Sequence, residues 1–230
     1  MTLKIQVALI SVASALSCGA ASADVVRVET SPAIDGRFDE AAWAGAKWET
    51  GFRCLAKEKD RAVKADTAFA VVTDGKSLYF GVKCFEPDMA RLAVPSEHGI
   101  FSKFTDTVEI DFCPNGTSFE RYQFVFAQRG DTYAMFFSEN GVIRPDPYGP
   151  EFDRAVGVFD GGWTLEVRIP LSALYMTRRA MWGETWLVNV GRARPGEGFS
   201  AWSDLEKGFM EAERYRRMGG FPPRSDAEDV

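Results

Sequence analysis

The sequence predicts an all-β fold, an antiparallel sandwich of two packed, jelly-roll-like sheets with one or two short helices. Three observations carry that prediction. Runs of five to eight residues alternate apolar with polar side chains, Gly, Asp and Pro punctuate the runs, and helical periodicity is scarce. With 230 residues, 46% of them hydrophobic, the chain is long enough for one well-buried domain. We place it at residues 24–221.

The elements follow in order. Asp39–Ala46 has the composition of a short capped helix. Val71 and Val72 lead to Asp74-Gly75, a tight hairpin turn, and then to Ser77–Phe85, in which Leu78, Phe80, Val82 and Cys84 share one face. Asp106–Phe112 sets Val108, Ile110 and Phe112 against Thr107, Glu109 and Asp111. Tyr122–Ala127 and Thr132–Phe137 flank Gly130-Asp131 in a second hairpin. Gly161-Gly162 precedes Trp163–Ile169, which Pro170 ends. Ser172–Tyr175 reads as a single helical turn, and Thr185–Val190 closes the series. Trp43 and Trp163 fall at core positions, whereas Trp182 and Trp186 read as either core or surface.

The ends of the chain read differently. Residues 1–23 have the pattern of a secretory signal, with Lys4 before an apolar run and Ala21-Ser22-Ala23 as the cleavage site. That leaves Asp24 as the mature start and points to a periplasmic or secreted protein. The apolar run is too short to span a bilayer permanently. Cys18 would be the acylated residue in a lipoprotein reading, although Ala15 stands where such signals carry Leu. Residues 222–230 are acidic, lack an apolar pattern and read as a disordered tail.

Charge excludes some partners. Lys and Arg number 27 against 33 Asp and Glu, a net charge of −6. There is no excess of positive charge for nucleic acid or an anionic membrane surface. Cys54, Cys84 and Cys113 remain after the signal. Export permits a Cys54–Cys84 disulfide, and the alternative is three small buried hydrophobes. The single histidine and the absence of C-x-x-C spacing argue against a metal site.

Motifs for catalysis are missing. No G-x-S-x-G elbow, phosphate loop or dinucleotide fingerprint occurs. Glu109 and Asp111 share a strand face roughly 6–7 Å apart, loosely within the carboxylate spacing of glycosidases. A polar sheet face or a set of sugar-hydroxyl acceptors explains them equally well. A sugar site pairs exposed aromatic rings with carboxylate, amide or guanidinium groups. Trp202, between small polar residues in Ser200-Ala201-Trp202-Ser203-Asp204, is the candidate ring.

Six segments in order resemble family 9 carbohydrate-binding modules. Ile34-Asp35-Gly36 with Asp39-Glu40 and Trp43 is similar to the family's opening motif. Asp74 with Leu78-Tyr79, Asp106–Asp111, and Trp163-Thr164-Leu165-Glu166 through Ile169-Pro170 follow. Asn189 and then Ala201-Trp202-Ser203-Asp204 through Tyr215 complete the set. The resemblance implies a two-sheet sandwich that clamps a sugar between two rings, without chemistry of its own.

Carried over by position, it implies Trp202 as one ring, Glu109 as an acidic ligand, and Gln123 and Asn189 as amide ligands. The family's second tryptophan is absent, and Phe101 or Phe104 stands near its place. Val125 replaces an arginine. No cofactor is implied, although some members hold a structural calcium. Asp35 or Asp39 would serve for that, and each is equally a turn or cap residue. The implied partners are a carbohydrate and a secreted glycoside hydrolase.

Two other functions are compatible with the sequence. Related sandwiches hold haem b for electron transfer, for which His98 with Met89, Met135 or Met176 would be the ligands. A glycoside hydrolase would use Glu109 and Asp111.

Overall fold

The computed structural model describes residues 23–55, 61–92, 99–138, 142–143, 148–178 and 181–222. The leader including Cys18, His98 and the tail beyond Pro222 lie outside these residues. Among the described residues, fourteen strands form two sheets. The larger runs β1 (Ala23–Asp24), β14 (Arg216–Gly219), β12 (Trp186–Arg194), β6 (Thr107–Cys113), β7 (Glu120–Ala127), β8 (Thr132–Ser138) and β9 (Val142–Ile143). Beside it, β13 (Gly198–Ala201) pairs with the far half of β12 and with β3 (Arg53–Cys54). The smaller sheet runs β10 (Asp153–Phe159), β11 (Gly162–Pro170), β5 (Ser77–Phe85), β4 (Thr67–Thr73) and β2 (Val26–Arg27). The sandwich architecture is as the alternation predicts, and pairing is antiparallel except for β1–β14 and β2–β4.

Period-2 alternation sorts the faces. Leu78, Phe80, Val82 and Cys84 of β5 meet Val108, Ile110 and Phe112 of β6 in the core between the sheets, with Trp163, Leu165, Val167 and Ile169 of β11. Phe112 lies at the centre, stacked against Phe80, Tyr122 and Phe124 at 5.6–6.1 Å. Each such side chain, fully buried, contributes about 1.5–3 kcal/mol. Helix α1 (Ala41–Ala44) and a 3-10 turn at Leu171–Ala173 are the predicted short helical pieces. Trp43, Trp163 and Trp186 are all core residues, the last stacked on Phe221 at 4.0 Å.

The outer face of the smaller sheet is covered by the N-terminal segment. Trp43, with Ile34, Phe38 and Trp48 around it, packs on Ala70, Val72 and Tyr79. One buried carboxylate fastens this cover. Glu166 Oε2 accepts from Asp35 N and Gly36 N, both at 3.0 Å, and Oε1 accepts from Trp43 Nε1 at 2.8 Å. Two separate sequence motifs, the Asp35-Gly36 opening and the Trp163–Glu166 strand, are therefore the halves of one latch. Gly36 is required there, since it has φ +82° and a Cβ would sit 2.7 Å from Gly157 N. Asp35 Oδ1 accepts from Arg37 N at 2.9 Å, which is the turn role.

Asp74 closes the β4–β5 hairpin in the same manner. Its carboxylate accepts from Lys76 N, Ser77 N, Tyr79 Oη and Ser31 Oγ at 2.7–2.8 Å. Burial raises its pKa, but those four bonds outweigh it and hold the group down at about 2.

The cysteines correct one expectation. Cys54, Cys84 and Cys113 are all free and buried. Cys84 points between the sheets and Cys113 lies on the opposite face of the larger sheet, while Cys54 sits on edge strand β3. No disulfide joins Cys54 to Cys84. The three act as small hydrophobes, and burial drives the Cys113 thiol up to about 12.

Candidate functional site

The outer face of the larger sheet carries the polar side chains that β6, β7 and β12 turn away from the core. In register across these strands lie Gly191, Glu109 and Val125, then Asn189, Asp111 and Gln123. The segment from Trp202 to Tyr215 folds over half of this face, placing Leu205, Phe209 and Tyr215 on Leu187, Ala201 and Cys113. Gly191 makes room for the cover, because a Cβ there would lie 2.6 Å from the Phe209 ring. The other half stays open as a groove of about 940 Å³.

The groove floor is Ala193, Thr107, Glu109 and Val125. One wall is the loop 100–105 with Phe101 and Phe104, which are 67% and 46% exposed. Phe101 rests edge-on against Tyr133 of β8 at 5.1 Å. The other wall is Pro195, Gly196 and Phe199, the last 51% exposed and edge-on to Phe209 at 5.3 Å. Arg194 stands at the same end. Glu86 holds it with two bonds of 2.7 and 2.6 Å, while neighbouring Arg192 grips Asp106 at 2.9 and 2.6 Å. Arg192 Nη1 also donates to Phe85 O at 2.8 Å, tying the smaller sheet to this end of the larger one. These buried pairs give the wall a rigid footing.

Under the groove runs a polar chain. Gln123 Nε2 donates to Glu109 Oε1 at 2.6 Å. Glu109 and Asp111 stand within hydrogen-bonding reach of each other, and Arg121 Nη1 donates to Asp111 Oδ1 at 2.7 Å and to Tyr215 Oη at 3.1 Å. Burial pushes both carboxyls up. In Asp111 the charge of Glu109 adds to the rise, while Arg121 opposes it. Asp111 Oδ2, Arg121 Nη2 and Asn189 Nδ2 are buried without a hydrogen-bond partner.

The structure thus brings four expected residues together. Glu109 lies on the floor with Gln123 bonded to it, and Phe101 and Phe104 form one wall. Two others are placed elsewhere. Trp202 is 3% exposed and turned into the core, edge-on to Phe69 at 5.1 Å with Arg216 stacked 4.2 Å from its centroid. Its small polar neighbours made it look like a surface ring. Ser203 is buried too, however, bonded through its N–H to Asn189 Oδ1 at 3.1 Å, and Ala201 is the outward residue of the pair. Asn189 is likewise fully buried, and its Oδ1 fixes the Trp202–Ser203 turn.

Asp111 is closed off beneath Tyr215 and Arg121, so the two carboxyls do not both face the groove. Met89, Met135 and Met176 lie apart, on a 3-10 turn, on the outer face of β8 and against the inter-sheet core. Among the described residues no cluster of His, Cys, Asp or Glu converges as a metal site, and no helix is long and apolar enough to cross a membrane. The sequence reading missed Phe199, Phe209 and Arg194. A signal for Phe199 is present in the strand itself, where Phe199 and Ala201 share the outward parity that excludes Trp202.

A two-sheet sandwich with one open, aromatic-walled sheet face defines a class of ligand-binding domain. The chain belongs to the carbohydrate family 9 binding domain-like family, which matches residues 34–216. Among solved structures it is similar to a family 9 carbohydrate-binding module of Caldicellulosiruptor kristjanssonii in complex with cellotriose. That match has 16% identity and TM-score 0.60, and covers 90% of this chain and 97% of that one. The same module with glucose matches at TM-score 0.59 and 16% identity, covering 89% of this chain and 100% of the other. A Bacteroides uniformis protein assigned to carbohydrate binding matches at TM-score 0.64 and 16% identity, covering 86% and 97%. No curated protein matches the sequence.

Proposed function

We propose that the chain is an exported, non-catalytic carbohydrate-binding domain whose ligand lies in the groove over Glu109. The observation that carries this is the joining of a Glu109–Gln123 pair to exposed phenylalanine rings on an open sheet face. The carboxylate and amide accept and donate to sugar hydroxyls, and the rings take the apolar C–H faces. Membership of the family and the sugar complexes of the similar modules support the ligand class. The burial of Asp111 supports binding without hydrolysis, since the second carboxylate of a glycosidase pair must reach the substrate.

Export rests on the leader pattern of residues 1–23. Mass spectrometry of protein isolated from the producing cell should find Asp24 at the N-terminus, and retention of Lys4 would overturn it. For the ligand, a glycan array followed by calorimetry with the best hit is the test. Glu109→Ala and Gln123→Ala should each weaken binding tenfold or more, about 1.4 kcal/mol. A blank array at high protein concentration, or wild-type affinity in both variants, sinks the reading.

A further inference from the structure

We infer that the groove is built for a saccharide carrying an apolar group, such as an aryl or alkyl aglycone or an acyl ester, over a bare sugar chain. The inference rests on the carbohydrate reading above and narrows its ligand class.

The first argument is the supply of polar groups. A bare sugar presents hydroxyls around its whole rim, and each one removed from water needs a partner. Here several polar side chains are already bonded within the protein, and Lys103 adds a charged group on the loop wall beside Phe104. Arg194 is held twice by Glu86, and one N–H of Gln123 is taken by Glu109. Thr105 Oγ1 donates to Gly99 O at 3.1 Å, and Ser102 Oγ accepts from Phe104 N at 3.2 Å. Polar ground on the floor is limited to Glu109 and Thr107, bounded by Val125 and Ala193. The walls present Phe101, Phe104 and Phe199, whose rings have no hydrogen-bonding edge.

The second argument is width. Phe199 is on β13, and Phe101 leans on Tyr133 of β8, with β12, β6 and β7 between those strands. Four strand spacings put β13 and β8 about 19 Å apart, and the Phe199 and Phe101 rings stand toward those two sides. One sugar ring seated over Glu109 covers only part of that width. A sugar with an apolar extension fills the floor with its polar half and covers a phenylalanine wall with the other. The gain is easily large enough to measure. At ~25 cal/mol per Å² of apolar surface, about 60 Å² buried on a wall gives a tenfold tighter complex.

The experiment compares matched pairs by calorimetry with the whole protein, methyl against 4-nitrophenyl glycosides of glucose, xylose and mannose. At least one nitrophenyl glycoside should bind tenfold or more tightly than its methyl partner. That ratio should fall below threefold in the double variant Phe101→Ser/Phe199→Ser. Both rings are more than half exposed, so the variant keeps its fold, which circular dichroism verifies. Equal affinities within every pair overturn this inference and leave the carbohydrate reading standing. A ratio that survives the double variant overturns it too, because the walls are then not the contact. Binding of nitrophenol itself as tightly as its glycosides sinks the carbohydrate reading while the apolar groove stands. No binding of any probe overturns both.

Discussion

The two outer faces of the sandwich solve the same problem in opposite ways. On the smaller sheet the N-terminal segment covers the centre of the face, with Phe85 at its edge 40% exposed, and the buried carboxylate of Glu166 is met by three donors. On the larger sheet the Trp202–Tyr215 segment covers only half. Its carboxyls, Glu109 and Asp111, crowd each other, and Asp111 Oδ2, Arg121 Nη2 and Asn189 Nδ2 find no partner. Both faces bury charge, which is costly unless every hydrogen-bonding position is filled. Unpartnered buried atoms occur on both sides, Glu40 Oε2 in the N-terminal cover among them, but they are more numerous beside the groove.

Removing the latch breaks the comparison most severely. Glu166→Ala strands the N–H groups of Asp35, Gly36 and Trp43, and should cost about 3 kcal/mol or more of unfolding free energy in urea titrations. A loss under about 1 kcal/mol would mean that the cover holds by packing alone.

A smaller effect, with a pH signature, is expected at Asp74. Its folded pKa lies at about 2, below the ordinary 3.8, so its contribution is present above that ordinary value. It is lost as pH falls through the folded value. Asp74→Asn should cost about 1–2 kcal/mol at pH 7, and the gap to wild type should close between pH 4 and 2.

Glu109→Gln should move stability least, within about 1 kcal/mol, and in the opposite sense. Raised carboxyl pKa values stabilise the fold at low pH, a contribution lost as pH rises from the ordinary carboxylate range through the folded values. The variant lacks the Glu109 charge, so its stability should decline less than wild type between pH 4 and 8. A steeper decline in the variant would show that Glu109 is no burden on its face.

How much of this was legible in the sequence depended on burial. Ser77–Phe85 was read to the residue because one of its faces lies in the core, and alternation records that contrast. Strand β10, Asp153–Phe159, went unread. It is an edge strand with no fully buried residue, so no apolar rhythm distinguishes it from a loop. Glu109 and Gln123 were legible as the polar partners of apolar neighbours on paired strands. Trp202 misled because composition cannot tell a small polar residue in water from one bonded under a cover, as Ser203 is. The phenylalanine of the second wall was hidden for a similar reason, on a strand of only four residues.

The latch at Glu166 also dictates an order of events. Its partners lie 123–131 residues earlier in the chain, so the cover, which β2 already ties to β4, gains this second fastening only when β11 has been laid against β5. Closing a loop of that length costs entropy before any contact repays it, and long-range closure of this kind slows folding. Strand β1 is bound in the same way to β14 near the other end of the chain. The Glu166 latch and the β1–β14 pair are thus closures that only the later half of the chain can complete.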